Sequence, residues 1–270
     1  MYRLVLALFC MATYSYAYVD SDFDGVEDAY DLCPQTPLSD LVDANGCMIK
    51  SIGSKILYDL VLGMGYSQIN YASQEPSDTL SSSLQADIYM HKWWFQLVAS
   101  HYKSDDGVES KSGLEDTSMS VMYRFTPTEK LSITTGVGLI LPTYKSIYNN
   151  EATDYAISVD LDYDVSSKFS LFFGSNYTLV NDSDVKDEKY QNSYGFHAGA
   201  KYIQPSKKSA LSAAYYQNES IYASTKTIKY LSLGYAYMIN NNWNIGGNYG
   251  HGLSDSASDK SISAYVGYTF

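Results

Sequence analysis

After its first few residues the chain has no apolar run approaching the ~18 residues that a membrane-crossing helix needs, which excludes a bundle of transmembrane helices. Basic residues are scarce. Eighteen Lys and Arg stand against 30 Asp and Glu, a net charge of −12, and this excludes a surface built to hold a phosphate backbone. Cysteine is limited to three residues, none beyond position 47, so any disulfide belongs to the start of the chain.

What is present begins with a leader. In "MYRLVLALFCMATYSYA" one positive charge, Arg3, precedes a short apolar stretch from Leu4 to Ala12, and Ser15 and Ala17 occupy the −3 and −1 positions of a cleavage site. This predicts a secretory signal peptide over 1–17. Cys10 is a poor lipidation site because bulky Phe9 precedes it. Removing the leader leaves Cys33 and Cys47, an even pair in an exported chain, which predicts one disulfide closing a short loop. Charge then divides the remainder. Residues 18–50 carry eight acids and one lysine, whereas 51–270 carry 22 acids and 16 bases. A small, very acidic head (18–50) precedes a large, mildly acidic body (51–270).

The body alternates with period two. In "YAISVDLDYDV", Tyr155, Ile157, Val159, Leu161, Tyr163 and Val165 share one face, opposite Ser158, Asp160, Asp162 and Asp164. "KFSLFFGSNYTL" and "LSLGYAYMI" repeat the pattern. A soluble sandwich also alternates, but here the second face is filled with Gly, Ser, Thr, Asn and Asp, which suits a wet lumen. Many of the 28 tyrosines fall near strand ends, as aromatic girdles require, and many segments run about ten residues. Strands are predicted near 56–70, 80–91, 93–103, 117–125, 130–144, 154–165, 168–179, 193–203, 209–217, 227–239, 243–251 and 261–270. The links "TPTE", "SS", "QPSKK", "NNN" and the junction at His91–Trp93 are short, and they alternate with long polar links such as "KSDDGVESKSGLE" and "VNDSDVKDEKYQN". Tight turns on one side and long loops on the other are the mark of a bacterial outer-membrane barrel. The expected fold is all-β, a 12-stranded antiparallel transmembrane barrel with ten or fourteen strands as alternatives. Both termini then lie on the short-turn, periplasmic side.

The last segment, "SISAYVGYTF", aligns Ile262, Ala264, Val266, Tyr268 and Phe270 on one face and ends in an aromatic. With Tyr268 and Phe270 it resembles the C-terminal signal read by the outer-membrane assembly machinery. Together with the leader and the turn pattern, the body resembles a porin-like β-barrel of the Gram-negative outer membrane, with lipid and that machinery as expected partners.

The acidic head fits the calcium-loop template D-x-D-x-D-G-x5-[D/E]. Asp20, Asp22 and Asp24 take positions 1, 3 and 5, Gly25 the sharp turn, Val26 a backbone carbonyl at 7, Asp28 position 9 and Asp31 position 12. A hard divalent ion wants six to eight oxygens, and alternate positions on a curled loop supply them together. An EF-hand is excluded because no entering helix has room. "DSDFDGVEDAYDLCPQTPLSDLVDANGC" resembles a thrombospondin type 3 repeat, in the version that serves as a linker in OmpA-like envelope proteins. The resemblance implies Ca²⁺ bound by Asp20, Asp22, Asp24, Asp28 and Asp31, and Cys33 bonded to Cys47. Here a single repeat precedes a barrel and no peptidoglycan-binding domain follows, so cell-wall contact is not inherited.

For the barrel, alternation places Asp59, Asp87, Arg124, Asp160, Asp162, Asp164, His197 and Lys201 in the lumen. The expected function is a narrow channel for small solutes with weak cation preference, since carboxylate rings favour cations. A non-conducting structural or interaction protein, with its long acidic loops as outward contacts, is the alternative. An outer-membrane lipid hydrolase fits less well, because His251 and Ser254 are three apart and so face opposite ways. The "MIKSIGSKI" link is short, so the acidic head is expected near the mouth of the barrel, where it could cover the opening.

Overall fold

The computed structural model describes residues 32, 33, 36, 42, 47, 56–69, 77–145, 151–185, 188–204 and 208–270. The predicted signal peptide (1–17) and the predicted calcium ligands Asp20, Asp22, Asp24, Val26, Asp28 and Asp31 lie outside the described residues. The chain divides into two compact units, one comprising Met1–Lys50 with Pro205–Lys207 and the other Ser51–Gln204 with Lys208–Phe270. In the first, Cys33 and Cys47 are joined by a disulfide with their Cα atoms 4.9 Å apart, and the Thr36 hydroxyl donates to the Cys33 carbonyl at 3.0 Å.

The second unit is a barrel of antiparallel strands. They are β1 (Ile56–Ile69), β2 (Ser77–Met90), β3 (Trp93–Asp105), β4 (Ser110–Leu114), β5 (Thr117–Thr128), β6 (Leu131–Leu141) and β7 (Asp154–Ser166). The chain continues through β8 (Phe169–Leu179), β9 (Ser193–Ile203), β10 (Ser209–Asn218), β11 (Ile228–Met238), β12 (Trp243–Gly252) and β13 (Lys260–Thr269). Apart from β4, each strand pairs with the strands before and after it, β3 pairs with β5, and β1 pairs with both β2 and β13, so twelve strands form a closed ring. Closure leaves no edge strand in the ring, so the backbone of its strands pairs within the wall. The Phe270 N–H extends the seam by donating to the Tyr58 carbonyl at 2.9 Å.

The thirteenth strand, β4, pairs only with β3 and lengthens the β3–β5 hairpin beyond the ring. It lies within "KSDDGVESKSGLE", where the sequence predicts a loop. Apart from Leu114 its residues are serine, lysine and glycine, so alternation gives no signal there. A tight turn forms it instead: Asp105 accepts the Gly107 N–H at 2.9 Å, and Gly107 takes φ 80°, a conformation open to glycine. β2 likewise starts three residues earlier than predicted, and β6 stops three earlier.

The distribution of side chains is the reverse of a soluble protein's. Leu62, Met64, Leu233 and Ile262 are among the many large apolar residues turned outward, while the buried polar residues include Asp87, Thr134, Ser170 and Thr178. Among the described residues the buried hydrophobics are Met122, Ala214 and Ala257. Only an apolar surrounding makes that arrangement favourable, at about 25 cal/mol per Å² of apolar surface kept from water. At the short-turn end aromatic rings cluster on the wall: Trp93 meets Tyr123 at 4.9 Å, and Trp243, Tyr268 and Phe270 form a chain of contacts at 4.7 and 4.8 Å. Tyr268 and Phe270, the predicted assembly signal, therefore sit in an interfacial aromatic belt.

Candidate functional site

Strand alternation turns all eight predicted lumenal residues inward, and strand register decides which of them meet. One row crosses the wall from Arg124 on β5 through Thr134, Asp160, Gly174 and His197 to Tyr216 and Tyr230 on β11. Arg124 Nε donates to Thr134 Oγ1 at 3.5 Å. His197 Nε2 lies 3.6 Å from Asp160 Oδ1 although β7 and β9 are not neighbours. Gly174, between them on β8, makes this contact possible, because a Cβ there would collide with both side chains. Beyond His197 the row becomes a stack of rings: His197 on Tyr216 at 5.3 Å, then Tyr216 on Tyr230 at 4.7 Å and 3°. Phe172 flanks His197 at 5.9 Å. The side chains of Asp160 and His197 remain 40% and 29% exposed while facing the interior, so side chains do not fill the lumen at this depth.

Asp87 occupies a different setting. It is 2% exposed and accepts hydrogen bonds from Gln85 Nε2 (2.7 Å), Trp94 Nε1 (2.7 Å) and Gln96 Nε2 (2.9 Å). Three neutral donors satisfy a buried carboxylate without a cation. Asp59 is its direct cross-strand partner, and Asp59 Oδ1 is buried with no hydrogen-bond partner. Asp162 and Asp164 continue the inward face of β7, and Lys201 faces Ser170 and Ser212. The structure thus joins Asp160 to His197 and sets Asp59 beside Asp87.

The sequence did not reveal Gln85, Trp94, Gln96, Tyr216 and Tyr230. Their inward parity was readable, but their convergence depends on which residues the register brings opposite. His251 faces outward beside Leu231, and Ser254 Oγ accepts the Lys229 N–H at 3.0 Å in the following loop. His101 also faces outward, and His91 sits in the β2–β3 turn with φ 56°. Among the described residues no group of three His, Cys, Asp or Glu could hold a metal ion.

Outside the spanning strands, the backbone N–H groups of Glu109 and Val108 hold the Asp106 carboxyl below the usual carboxylate range. Burial pushes the Tyr190 and Tyr222 hydroxyls up where their rings meet at 5.4 Å in the long loops.

A closed twelve-strand ring with an apolar exterior and a polar interior defines an outer-membrane β-barrel. An outer-membrane channel from Pseudomonas putida F1 superposes with a TM-score of 0.63 at 11% identity, covering 85% of this chain and 100% of that one. The NanC porin gives 0.52 at 13%, covering 77% and 98%, and the translocator domain of autotransporter NalP from Neisseria meningitidis gives 0.51 at 14%, covering 82% and 90%. At these identities the likeness establishes the fold. The profile of the MetA-pathway of phenol degradation family matches residues 59–270, and the chain belongs to that family. None of the curated proteins matches it in sequence.

Proposed function

We propose that the protein is a narrow, porin-like channel of the Gram-negative outer membrane that passes small solutes. The observation that carries this reading is the exposure of Asp160 and His197 inside the ring, which requires a water-filled lumen at their depth. Inward-facing Asn248 on β12 is exposed as well. Twelve strands enclose more space than the eight whose side chains fill the interior, and less than the sixteen of an open porin. The likeness to channel and porin barrels supports the same reading.

The predicted lumenal acids Asp59, Asp87, Asp160, Asp162 and Asp164 favour cations, and Arg124 and Lys201 keep that preference weak. The family's description brings small phenolic compounds into the range of solutes. Short turns on the side of both termini support a periplasmic placement of the two ends. The acidic head is proposed as a thrombospondin type 3-like module over 18–50, with Ca²⁺ held by Asp20, Asp22, Asp24, Asp28, Asp31 and the Val26 carbonyl. The disulfide Cys33–Cys47 closes the segment that follows the loop. Swelling of liposomes carrying the purified protein in small uncharged solutes tests the channel. Swelling that slows as solute size increases is expected, and no swelling above empty liposomes contradicts the reading.

A further inference from the structure

Resting on the channel reading, we infer that most of the lumenal charges form one belt, set off-centre near the short-turn mouth, running from β1 to β9 and absent from β10–β13. This belt is the selectivity element of the conduit.

A row starting at Asp59 passes through Asp87 on β2 and Gln96 on β3 to Ser120 on β5, and further on reaches Ala156 on β7 and Ser193 on β9. Because the strands of a barrel tilt, such a row climbs the wall by about one residue per strand. The charged residues descend to match. On β5 Arg124 lies four positions from Ser120 toward the short-turn end. On β7 Asp160 and Asp162 lie four and six positions from Ala156 in the same direction, and on β9 Lys201 lies eight from Ser193. Descent cancels climb, so Asp59, Asp87, Arg124, Asp160, Asp162 and Lys201 share one level.

That level is off-centre. Asp59 is three residues from Ile56, where β1 starts at the short-turn end, and ten from Ile69. Above it the inward faces are uncharged up to Asp154 at the far end of β7, with His197 about midway. The belt is also open over β10–β13. Inward positions on β10–β13 carry no Asp, Glu, Lys, Arg or His. At belt level they are small: Ser212 beside Lys201, Gly234 beside Ser212, and Gly267 beside Asn244. Solute therefore passes between a charged wall and a wall of small residues.

Acidic side chains outnumber basic ones four to two in the belt, and Asp164, next below Asp162 on the inward face of β7, adds to the excess, so the belt favours cations. Inside it cations carry most of the current, and above it ions of both signs do. When cations are driven in from the short-turn mouth, salt accumulates above the belt and conductance rises. The opposite polarity depletes it. The channel rectifies in a fixed direction.

The test is single-channel recording of the full chain in 0.1 M KCl, with the long-loop side marked by streptavidin on biotinylated Lys226→Cys. The current is expected to be roughly 1.5- to 2-fold larger when K⁺ enters from the short-turn side. The ratio falls to unity in 1 M KCl, where the screening length is about 3 Å. Asp162→Asn lowers the ratio, Lys201→Gln raises it, and Asp255→Asn in an outer loop leaves it unchanged. Conduction that is symmetric at low salt, or unaltered by both belt variants, overturns the belt and leaves the channel standing. Absence of conduction overturns both.

Discussion

His197 on β9 and Asp160 on β7 face each other across an intervening strand, Nε2 3.6 Å from Oδ1, because Gly174 on β8 has no side chain to separate them. The contact places a carboxylate and an imidazole at one point of the lumen wall, at the start of a stack of aromatic rings.

A side chain at Gly174 must displace one partner or the other. Gly174→Val is expected to lower stability by about 1–3 kcal/mol, the usual cost of overpacking, and to alter conductance. Gly174→Ala changes both in the same direction and by less. Heat-induced unfolding in detergent, followed by gel mobility, reads the stability.

Asp87 accepts three hydrogen bonds in a buried site, so its removal strands three donors. Asp87→Ala is expected to destabilise the barrel by about 2–4 kcal/mol, and Asp87→Asn by less, since one acceptor oxygen remains. Urea unfolding in detergent measures the difference. The emission of Trp94, released from its carboxylate partner, shifts in the Ala variant.

The full chain is expected to bind one Ca²⁺. Asp22→Asn and Asp24→Asn each weaken binding by tenfold or more, whereas Val26→Ala leaves it intact because that position offers its backbone carbonyl. Isothermal titration distinguishes these outcomes. An absence of heat up to millimolar calcium contradicts the head's assignment.

The β3–β4 turn depends on an ionised Asp106, which accepts the N–H groups of Glu109 at 2.7 Å and Val108 at 3.0 Å. Its folded pKa lies below its unfolded value. The contribution is therefore complete above the ordinary aspartate pKa of about 3.9 and is lost as pH falls through the lower folded value. Hydrogen exchange at Val108 and Glu109 is expected to stay protected down to about pH 4 and to lose protection in stronger acid. The same residues in Asp106→Asn lack that dependence.

Alternation made the wall legible from sequence, because Tyr155 through Val165 can face only one way once Asp160 and Asp162 face the other. Loop lengths then gave the strand count. Contacts between strands were not legible. His197 meets Asp160 through the stagger of β7, β8 and β9, and no spacing within a single segment encodes that stagger. The donors around Asp87 were hidden for the same reason, with Gln85 on its own strand and Trp94 and Gln96 on the next. β4 escaped because it stands outside the apolar band, where neither face has to be apolar.

The central claim is that water and small ions cross the ring past Asp160 and His197. Single-channel recording across a planar bilayer under a KCl gradient tests it most directly. Steady, small unitary currents are predicted, with a reversal potential displaced modestly toward that of K⁺. A silent bilayer with folded protein inserted, or a reversal potential on the Cl⁻ side, would contradict it.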